Sequence, residues 1–297
     1  MFKISFFSNN RLNLLIIAGV AGALFASFSG EEFSSAPYPP LILVPEGKFI
    51  YGSSKAEREN AEVLDRNFNS NEIINNLYKY DTEPDRTEIH LDSFLIMSTT
   101  VTISQYAAFI DDTKYKVPQM DDITSNMYQP ENTSNDLDLY IWKNNTPPQD
   151  RDNHPVVLVS WTDAEKYAEW LSKKTGRNFR LPTAIEWEKA ARGVNGANFP
   201  WGMIYDPKLL NSADLGPNDT TPVGQYPEGA SPYGLLDTAG QVFEWTKTSL
   251  EKNSYIIKGG AWNNYGCGVC RPAAQQSMSK SDKNIITGFR LIDIGPR

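Results

Sequence analysis

Residues 154–193, which read HPVVLVSWTDAEKYAEWLSKKTGRNFRLPTAIEWEKAARG, contain the clearest structural pattern in the chain. Ser160 or Thr162 is suited to begin a helix, because a side-chain hydroxyl can accept a hydrogen bond from an unpaired N–H group of the first turn. Apolar side chains then recur at helical spacing until Gly176, a residue type that often ends helices. Thr183 is suited to begin a second helix in the same way. The stretch therefore predicts two helices joined by a short extended link.

Shorter apolar patterns elsewhere predict strands. Val156–Val159 predicts a short buried strand directly before the first of these helices. Residues 41–53 (LILVPEGKFIYGS) predict a β-hairpin, because two apolar runs flank a turn at Glu46–Gly47. Residues 288–292 (GFRLI) predict a final strand.

A strand followed by a helix is predicted for residues 87–113, with Thr102 as the residue that caps the helix. Residues 54–86 predict a long loop with at most one helix, and residues 114–153 predict a second long loop. We therefore expect a single α+β domain with little regular secondary structure, held together by loops and buried tryptophans.

Composition excludes some classes of protein. The chain has 297 residues, of which 40% are hydrophobic and 22% are charged, which is ordinary for a globular domain. Its net charge is −8 and its pI is near 5.0. An acidic protein of this kind repels polyanions, so we do not expect nucleic acid as a partner.

The first 30 residues differ from the rest. Lys3 and Arg11 precede an apolar stretch, residues 12–29, which is close to the minimum length that spans a bilayer. Residues 1–30 are therefore predicted to be a signal peptide or an N-terminal membrane anchor, followed by a proline-rich linker at 31–40 and a domain at 41–297. The basic residues before the apolar stretch place the domain outside the cytoplasm, on the periplasmic or secreted side.

Cys267 and Cys270 are the only cysteines, and they lie in a glycine-rich segment. A thioredoxin-type site requires a cysteine at a helix N-terminus, but Pro272 follows and no helical pattern does. A zinc site requires four ligands, and the chain offers only His90 and His154 besides this pair. A local disulfide or two inert thiols remain as the favoured interpretations.

Several motifs occur in an order that is specific to one family. From about Leu41 to Ile292 the chain resembles the formylglycine-generating enzyme family, also called the sulfatase-modifying factor family. The motifs are VPEGKFIYGS, SFLIMSTTVTISQYAAFI, residues 154–193, FPWG, TPVGQYPEGASPYGLLDTAGQVFEWT, IIKGGAW and GFRLI. This resemblance implies an α+β fold related to the C-type lectin fold.

The resemblance also identifies what the chain lacks. The type enzyme of the family oxidises a sulfatase cysteine to formylglycine with molecular oxygen and copper, which two active-site cysteines bind. Here Ala261 stands where the family has a serine, and Asn264 stands where it has the first cysteine. Cys267 matches the second cysteine, and Cys270 has no counterpart. Copper(I) binds best between two soft thiolates, so we do not expect copper as a cofactor.

The resemblance further implies structural calcium. A first ion would lie at residues 237–245, and carboxylate and carbonyl oxygens are suitable ligands for it. Its expected ligands are Asp237, Gly240, Val242 and Glu244. A second, weaker site is expected in residues 209–222, where the candidate ligands are Asn211, Asp214 and Asp219.

Two functional hypotheses follow. The first is a membrane-anchored or secreted pseudoenzyme of this family, which acts as a binding or accessory subunit of an envelope protein complex and contacts protein partners at the membrane surface. The two long polar segments at 54–86 and 114–153 would supply partner-specific contacts. The second is a metal- or oxygen-dependent oxidoreductase that uses Cys267, alone or with Cys270, in the family pocket. A superfamily relative that matures pyoverdine without paired cysteines keeps such a different enzyme open.

Overall fold

The computed structural model describes residues 38–68, 78, 80–119 and 136–296. The predicted signal peptide or anchor at 1–30 lies outside the described residues, as does most of the predicted linker. Within the described part of the chain, no helix is both long and apolar enough to cross a membrane.

Four α-helices occur in the described residues, and the predicted caps are confirmed. Ser160, not Thr162, begins the helix at 161, and its hydroxyl accepts a hydrogen bond from the N–H of Asp163. Thr102 and Thr183 cap the neighbouring helices in the same manner. Gly176 ends its helix at φ 70°, a left-handed conformation that glycine adopts without strain. The helices are α1 (Lys55–Phe68), α2 (Ile103–Thr113), α3 (Trp161–Thr175) and α4 (Ala184–Arg192).

The strands of the described residues form three sheets. The first sheet has the order β1-β4-β10-β5, the second pairs β2 with β3, and the third has the order β8-β7-β6-β9. Within the sheets only β6 and β9 run parallel. The strands are β1 (Leu41–Val44), β2 (Gly47–Tyr51), β3 (Thr87–Leu91), β4 (Phe94–Met97), β5 (Arg177–Arg180), β6 (Phe243–Glu251), β7 (Ser254–Lys258), β8 (Gln276–Ser279), β9 (Thr287–Gly288) and β10 (Ile292–Pro296).

The prediction of a hairpin at residues 41–53 is wrong. β1 pairs with β4 and β2 pairs with β3, so the two strands belong to different sheets. Residues 41–51 and 87–97 together form one antiparallel ribbon that bends between the sheets. Alternating apolar residues show which face of a strand is buried, but they do not identify its partner.

Two other segments that were predicted to be strands are buried, but neither forms one continuous strand. Val156–Val159 is almost fully buried, yet Val156 N–H donates to the Val101 carbonyl and Leu158 N–H donates to the Asn284 carbonyl. Leu158 also adopts φ 60°, which interrupts any extended run. Residues 288–292 pass from the end of β9 to the start of β10 and thereby connect the third sheet to the first.

The core contains a cluster of buried aromatic side chains. Tyr106 and Tyr167 stack with ring centroids 5.6 Å apart, and Phe289 contacts both rings edge-on. Trp187 and Trp245 are fully buried. Arg180 and Glu186 form an ion pair through two contacts of 2.9 and 2.8 Å, and Glu186 also completes the cap of α4.

Candidate functional site

The segment that follows β7, residues 259–271, is called the disulfide loop below. It begins with Gly259 and Gly260, which have φ 97° and 72°. A Cβ atom at Gly260 would overlap the Sγ atom of Cys270, so only glycine lets the start of the loop pass so close to its end. The paired glycines therefore fold the loop back onto β7.

Cys267 and Cys270 form a disulfide within this loop, and neither residue is exposed to solvent. This confirms one of the two favoured interpretations of the pair. Both sulfur atoms are bonded to each other, so the loop offers no pair of facing thiolates. In this arrangement the residues therefore do not fit the copper centre of the type enzyme.

Asn264, at the position of the missing cysteine, has a structural role. Its Oδ1 atom accepts a hydrogen bond of 2.7 Å from the N–H of Ala261, and its Nδ2 atom donates one to the hydroxyl of Tyr78. Asn264 is only 4% exposed. The side chain thus connects two parts of the loop to a residue outside it, and both ends of its amide are engaged.

The disulfide loop is covered by a part of the chain that carries no strong sequence pattern. This covering segment consists of α1 and the described residues Tyr78 and 80–83. Asp65 on α1 accepts a hydrogen bond of 2.6 Å from the N–H of Gly268 and another from the hydroxyl of Tyr80. Burial of Asp65 raises its pKa to about 6, although these hydrogen bonds and the charge of Arg271 act in the opposite direction.

Buried ion pairs surround the loop. Arg271 at its end lies 2.5 Å from the carboxylate of Glu83, and both side chains are almost fully buried. Beneath the loop, Glu188 contacts Lys258 at 3.1 Å and Arg192 at 3.0 Å, again with almost no exposure. Because removal of one partner leaves an uncompensated buried charge, these pairs fix the position of the loop relative to α4 and the covering segment.

The residues expected to bind the first calcium ion are not arranged as ligands of a cation. Glu244 is fully buried, and its two oxygens accept hydrogen bonds of 2.7 and 2.8 Å from Arg290 and one of 2.8 Å from the indole of Trp187. A guanidinium group therefore already neutralises this carboxylate. Asp237 is buried and accepts a hydrogen bond from Gly224, and burial raises its pKa to about 6. Gly240 and Val242 are buried nearby but bring no further carboxylate.

The candidate ligands of the second expected calcium site form hydrogen bonds with different residues. The carboxylate of Asp219 binds Arg151 through two contacts of 2.7 Å, and the carboxylate of Asp214 accepts hydrogen bonds from Tyr205 and the N–H of Gly266. Of these three residues, only Asn211 has a buried side-chain oxygen, Oδ1, without a hydrogen-bond partner. The two aspartates thus serve as internal acceptors, and they do not form a common oxygen cage with Asn211.

Other features of the described surface lie away from the disulfide loop. Glu46, His90 and Asp92 are the only residues in the described part whose ligand atoms cluster as a metal site requires, and all three are exposed. Two surface cavities of about 510 and 380 Å³ lie elsewhere; Arg180 and Asp293 line the first, and Arg192 and Trp201 line the second. Neither cavity is lined by a residue of the disulfide loop.

Comparison with known protein families shows to which family the chain belongs. Residues 29–294 match the sulfatase-modifying factor enzyme 1-like domain. The chain belongs to the sulfatase-modifying factor family. The expected α+β fold of a single domain is thereby confirmed.

Relatives within the sulfatase-modifying factor family include enzymes and a protein described as inactive. A formylglycine-generating enzyme of Mycobacterium tuberculosis is 33% identical over 48% of this chain and 58% of its own length. The inactive C-alpha-formylglycine-generating enzyme 2 of Bos taurus is 36% identical over 36% of this chain and 38% of its own length. The uncharacterized protein YfmG of Bacillus subtilis is 28% identical over 74% of this chain and 44% of its own length. The chain thus spans about half of the length of these relatives.

Solved structures support the same fold. PvdO from Pseudomonas aeruginosa superposes with a TM-score of 0.66, and the match covers 88% of this chain and 96% of PvdO at 23% identity. CarF superposes with a TM-score of 0.56 over 88% of this chain and 100% of CarF, at 20% identity. At these identities the likeness establishes the fold alone.

The residues that close the site were not found by sequence reasoning. Asp65, Tyr78, Tyr80 and Glu83 lie in a polar segment that was expected to be a loop available to partners. A partial signal is present in the sequence GCG at 266–268, because glycines on both sides of a cysteine indicate close approach of another backbone. The sequence does not indicate which segment approaches.

Proposed function

We propose that this member of the sulfatase-modifying factor family does not form formylglycine and acts as a binding or accessory subunit of an envelope protein complex. The observation that carries the proposal is the buried disulfide between Cys267 and Cys270, at the position where the type enzyme binds copper. Ala261 and Asn264 replace the other two groups that the resemblance requires there.

The chemistry of the site supports the loss of oxidase activity. The resemblance implies that the type enzyme oxidises its substrate cysteine with oxygen at a copper ion, which two protein thiolates hold. Cys267 has no free thiol here, and Asn264 provides amide atoms that are already hydrogen-bonded to Ala261 and Tyr78. Reduction of the disulfide would return two cysteines that are only three positions apart in one tight loop, which differs from the family spacing.

The location and the partner are part of the same proposal. Residues 1–30 have the composition of a signal peptide or an anchor, and a disulfide is typical of an oxidising compartment outside the cytoplasm. Among relatives, the inactive C-alpha-formylglycine-generating enzyme 2 supports the idea that this fold persists without the oxidase reaction. A fold that is retained without that reaction can still present its loops to other proteins.

The enzymatic part is tested with a cysteine-containing sulfatase peptide. The full chain, reduced and supplied with copper and oxygen, is incubated with the peptide, and the aldehyde product is measured by mass spectrometry. We expect no aldehyde, whereas the formylglycine-generating enzyme of Mycobacterium tuberculosis serves as positive control. Aldehyde that disappears in the Cys267→Ser variant would refute the proposal and support the oxidoreductase hypothesis.

The accessory part is tested by affinity capture from detergent-solubilised membranes of the source cells. The full chain is compared with a chain that lacks residues 1–30, and each captured protein is tagged in turn to test reciprocal recovery. We expect one envelope protein to be recovered reciprocally with the full chain. Absence of any reciprocal pair, in both detergent and chemically crosslinked samples, contradicts an accessory role.

A further inference from the structure

The contact between the disulfide loop and α1 is a contact between backbones. A Cβ atom at Gly266 would lie 2.6 Å from the carbonyl oxygen of Leu64, and one at Gly268 would lie 2.7 Å from that of Ala61. Carbon and oxygen atoms do not approach so closely without overlap, so the space between loop and helix is fully occupied. No peptide substrate can reach Cys267 while α1 is in this position.

Asp65 is the polar centre of this contact. It is 5% exposed, and its two oxygens bind different elements: one accepts from the N–H of Gly268 in the loop, and the other accepts from the hydroxyl of Tyr80. Hydrogen bonds to a buried carboxylate are stronger than those between neutral groups. Asp65 therefore connects α1, the loop and residues 80–83 through a single side chain.

Further polar contacts surround Asp65. The hydroxyl of Tyr78 accepts from Asn264, and Arg271 pairs with Glu83 at 2.5 Å. The Nε2 atom of Gln275, just beyond the loop, donates to the carbonyl of Thr82 at 2.8 Å. All of these contacts join the covering segment to the disulfide loop or to the residues that follow it, so the segment can be displaced only if they break together.

We propose that the covering segment is a built-in blocking element, which keeps the disulfide from solvent and from protein substrates, and that Asp65 is the residue that holds it closed. Displacement of the segment exposes the disulfide, and closure protects it. The same scaffold thus contains a device that controls access to the family's reaction centre, whether or not a reaction takes place there.

The charged groups that face Asp65 predict how closure responds to pH. Arg271 stabilises its ionised form, whereas Asp214 and burial destabilise it, and burial is the largest effect. The pKa of Asp65 is therefore raised from 3.8 to about 6 when the segment is closed. Because the closed state binds the proton more tightly than the open state, closure is strongest below pH 4 and weakens as the pH rises through about 6.

The experiment measures reduction of the disulfide in the full chain. Protein is mixed with a water-soluble phosphine between pH 5 and pH 8, and the new thiols are trapped with a maleimide and counted by mass spectrometry. Each rate is divided by the rate of the denatured protein at the same pH, which removes the pH dependence of the reagent. We expect native protein to react far more slowly than denatured protein, and its relative rate to rise with pH.

Three variants distinguish closure from general stability. Asp65→Ala removes both hydrogen bonds and should raise the rate roughly tenfold to a hundredfold. Asp65→Asn has no charge to titrate, so its relative rate should not change with pH. Glu62→Ala, on the exposed side of α1, should react as the wild type does. If Asp65→Ala does not fold, Tyr80→Phe removes only one hydroxyl and should give a smaller increase.

Two results would overturn the proposal. One is a native disulfide that reacts as fast as the denatured one, because the loop would then be open. The other is an increase in Asp65→Ala that Ser172→Ala reproduces at an equal loss of thermal stability, because Ser172 binds Phe179 far from the loop along the chain. Reduction would then proceed through global unfolding, without movement of the covering segment. Neither result depends on formylglycine activity.

Discussion

Substitution of Glu244 by glutamine is the most direct test of how the centre of the domain is stabilised. Glu244 and Arg290 are both fully buried, and three short hydrogen bonds engage the carboxylate. Glu244→Gln retains the shape of the side chain but leaves the guanidinium group of Arg290 without a counter-charge.

The expected loss follows from the cost of an unpaired buried charge. Breaking a buried ion pair by removing one partner costs about 3–5 kcal/mol. In a domain of this size each 1 kcal/mol lowers the melting temperature by about 2–4 °C, so we expect a decrease on the order of 10 °C.

The assay is thermal unfolding of the full chain by circular dichroism, with either a chelator or added calcium. We expect the same decrease for Glu244→Gln in both solutions. Glu88→Gln, which removes an exposed pair with Lys48, is the control and should melt as the wild type does. If the effect of Glu244→Gln appears only when calcium is present, Glu244 is a calcium ligand and the interpretation of the ion pair is wrong.

Three further outcomes test other parts of the structure. Burial alone would raise the pKa of Asp163, but hydrogen bonds from Lys283 and Ser160 lower this pKa to about 2. Asp163→Asn should therefore reduce the free energy of unfolding by about 2 kcal/mol at pH 7. Urea unfolding should show that the difference between variant and wild type shrinks as the pH falls from 4 towards 2. Gly260→Ala should destabilise the protein more than Gly176→Ala, since both glycines have φ near 70° but only the first would meet Cys270; equal losses would contradict the close approach. The reduced protein should retain less than one equivalent of copper after dialysis, and tight stoichiometric copper by elemental analysis would contradict the loss of the copper centre.

The elements that local sequence determines were predicted correctly. Ser160, Thr183 and Gly176 define helix ends because capping involves groups only a few positions apart.

The errors concern partners that are distant in sequence. The prediction of a hairpin at residues 41–53 failed because its two strands pair with segments much farther along the chain, β1 with residues 94–97 and β2 with residues 87–91. The role of Asp65 was not predicted because α1 is rich in charged residues, which gives no sign that one of them is buried. Asp65 is buried against the disulfide loop, which lies far along the chain. The expectation of calcium at Glu244 came from the family resemblance, and the sequence does not show that Arg290 lies within hydrogen-bond distance of this carboxylate.

The position of β10 has a consequence for the order in which the domain forms. β10 lies between β4 and β5 in the first sheet, and Arg290 just before it reaches Glu244 in the third. β4 and β5 cannot be joined in one sheet until β10 has been synthesised, because long-range pairings form only after all their strands are available. Nascent chains that are stalled before residue 288 are therefore expected to be digested rapidly by protease, whereas chains extended beyond residue 296 resist it.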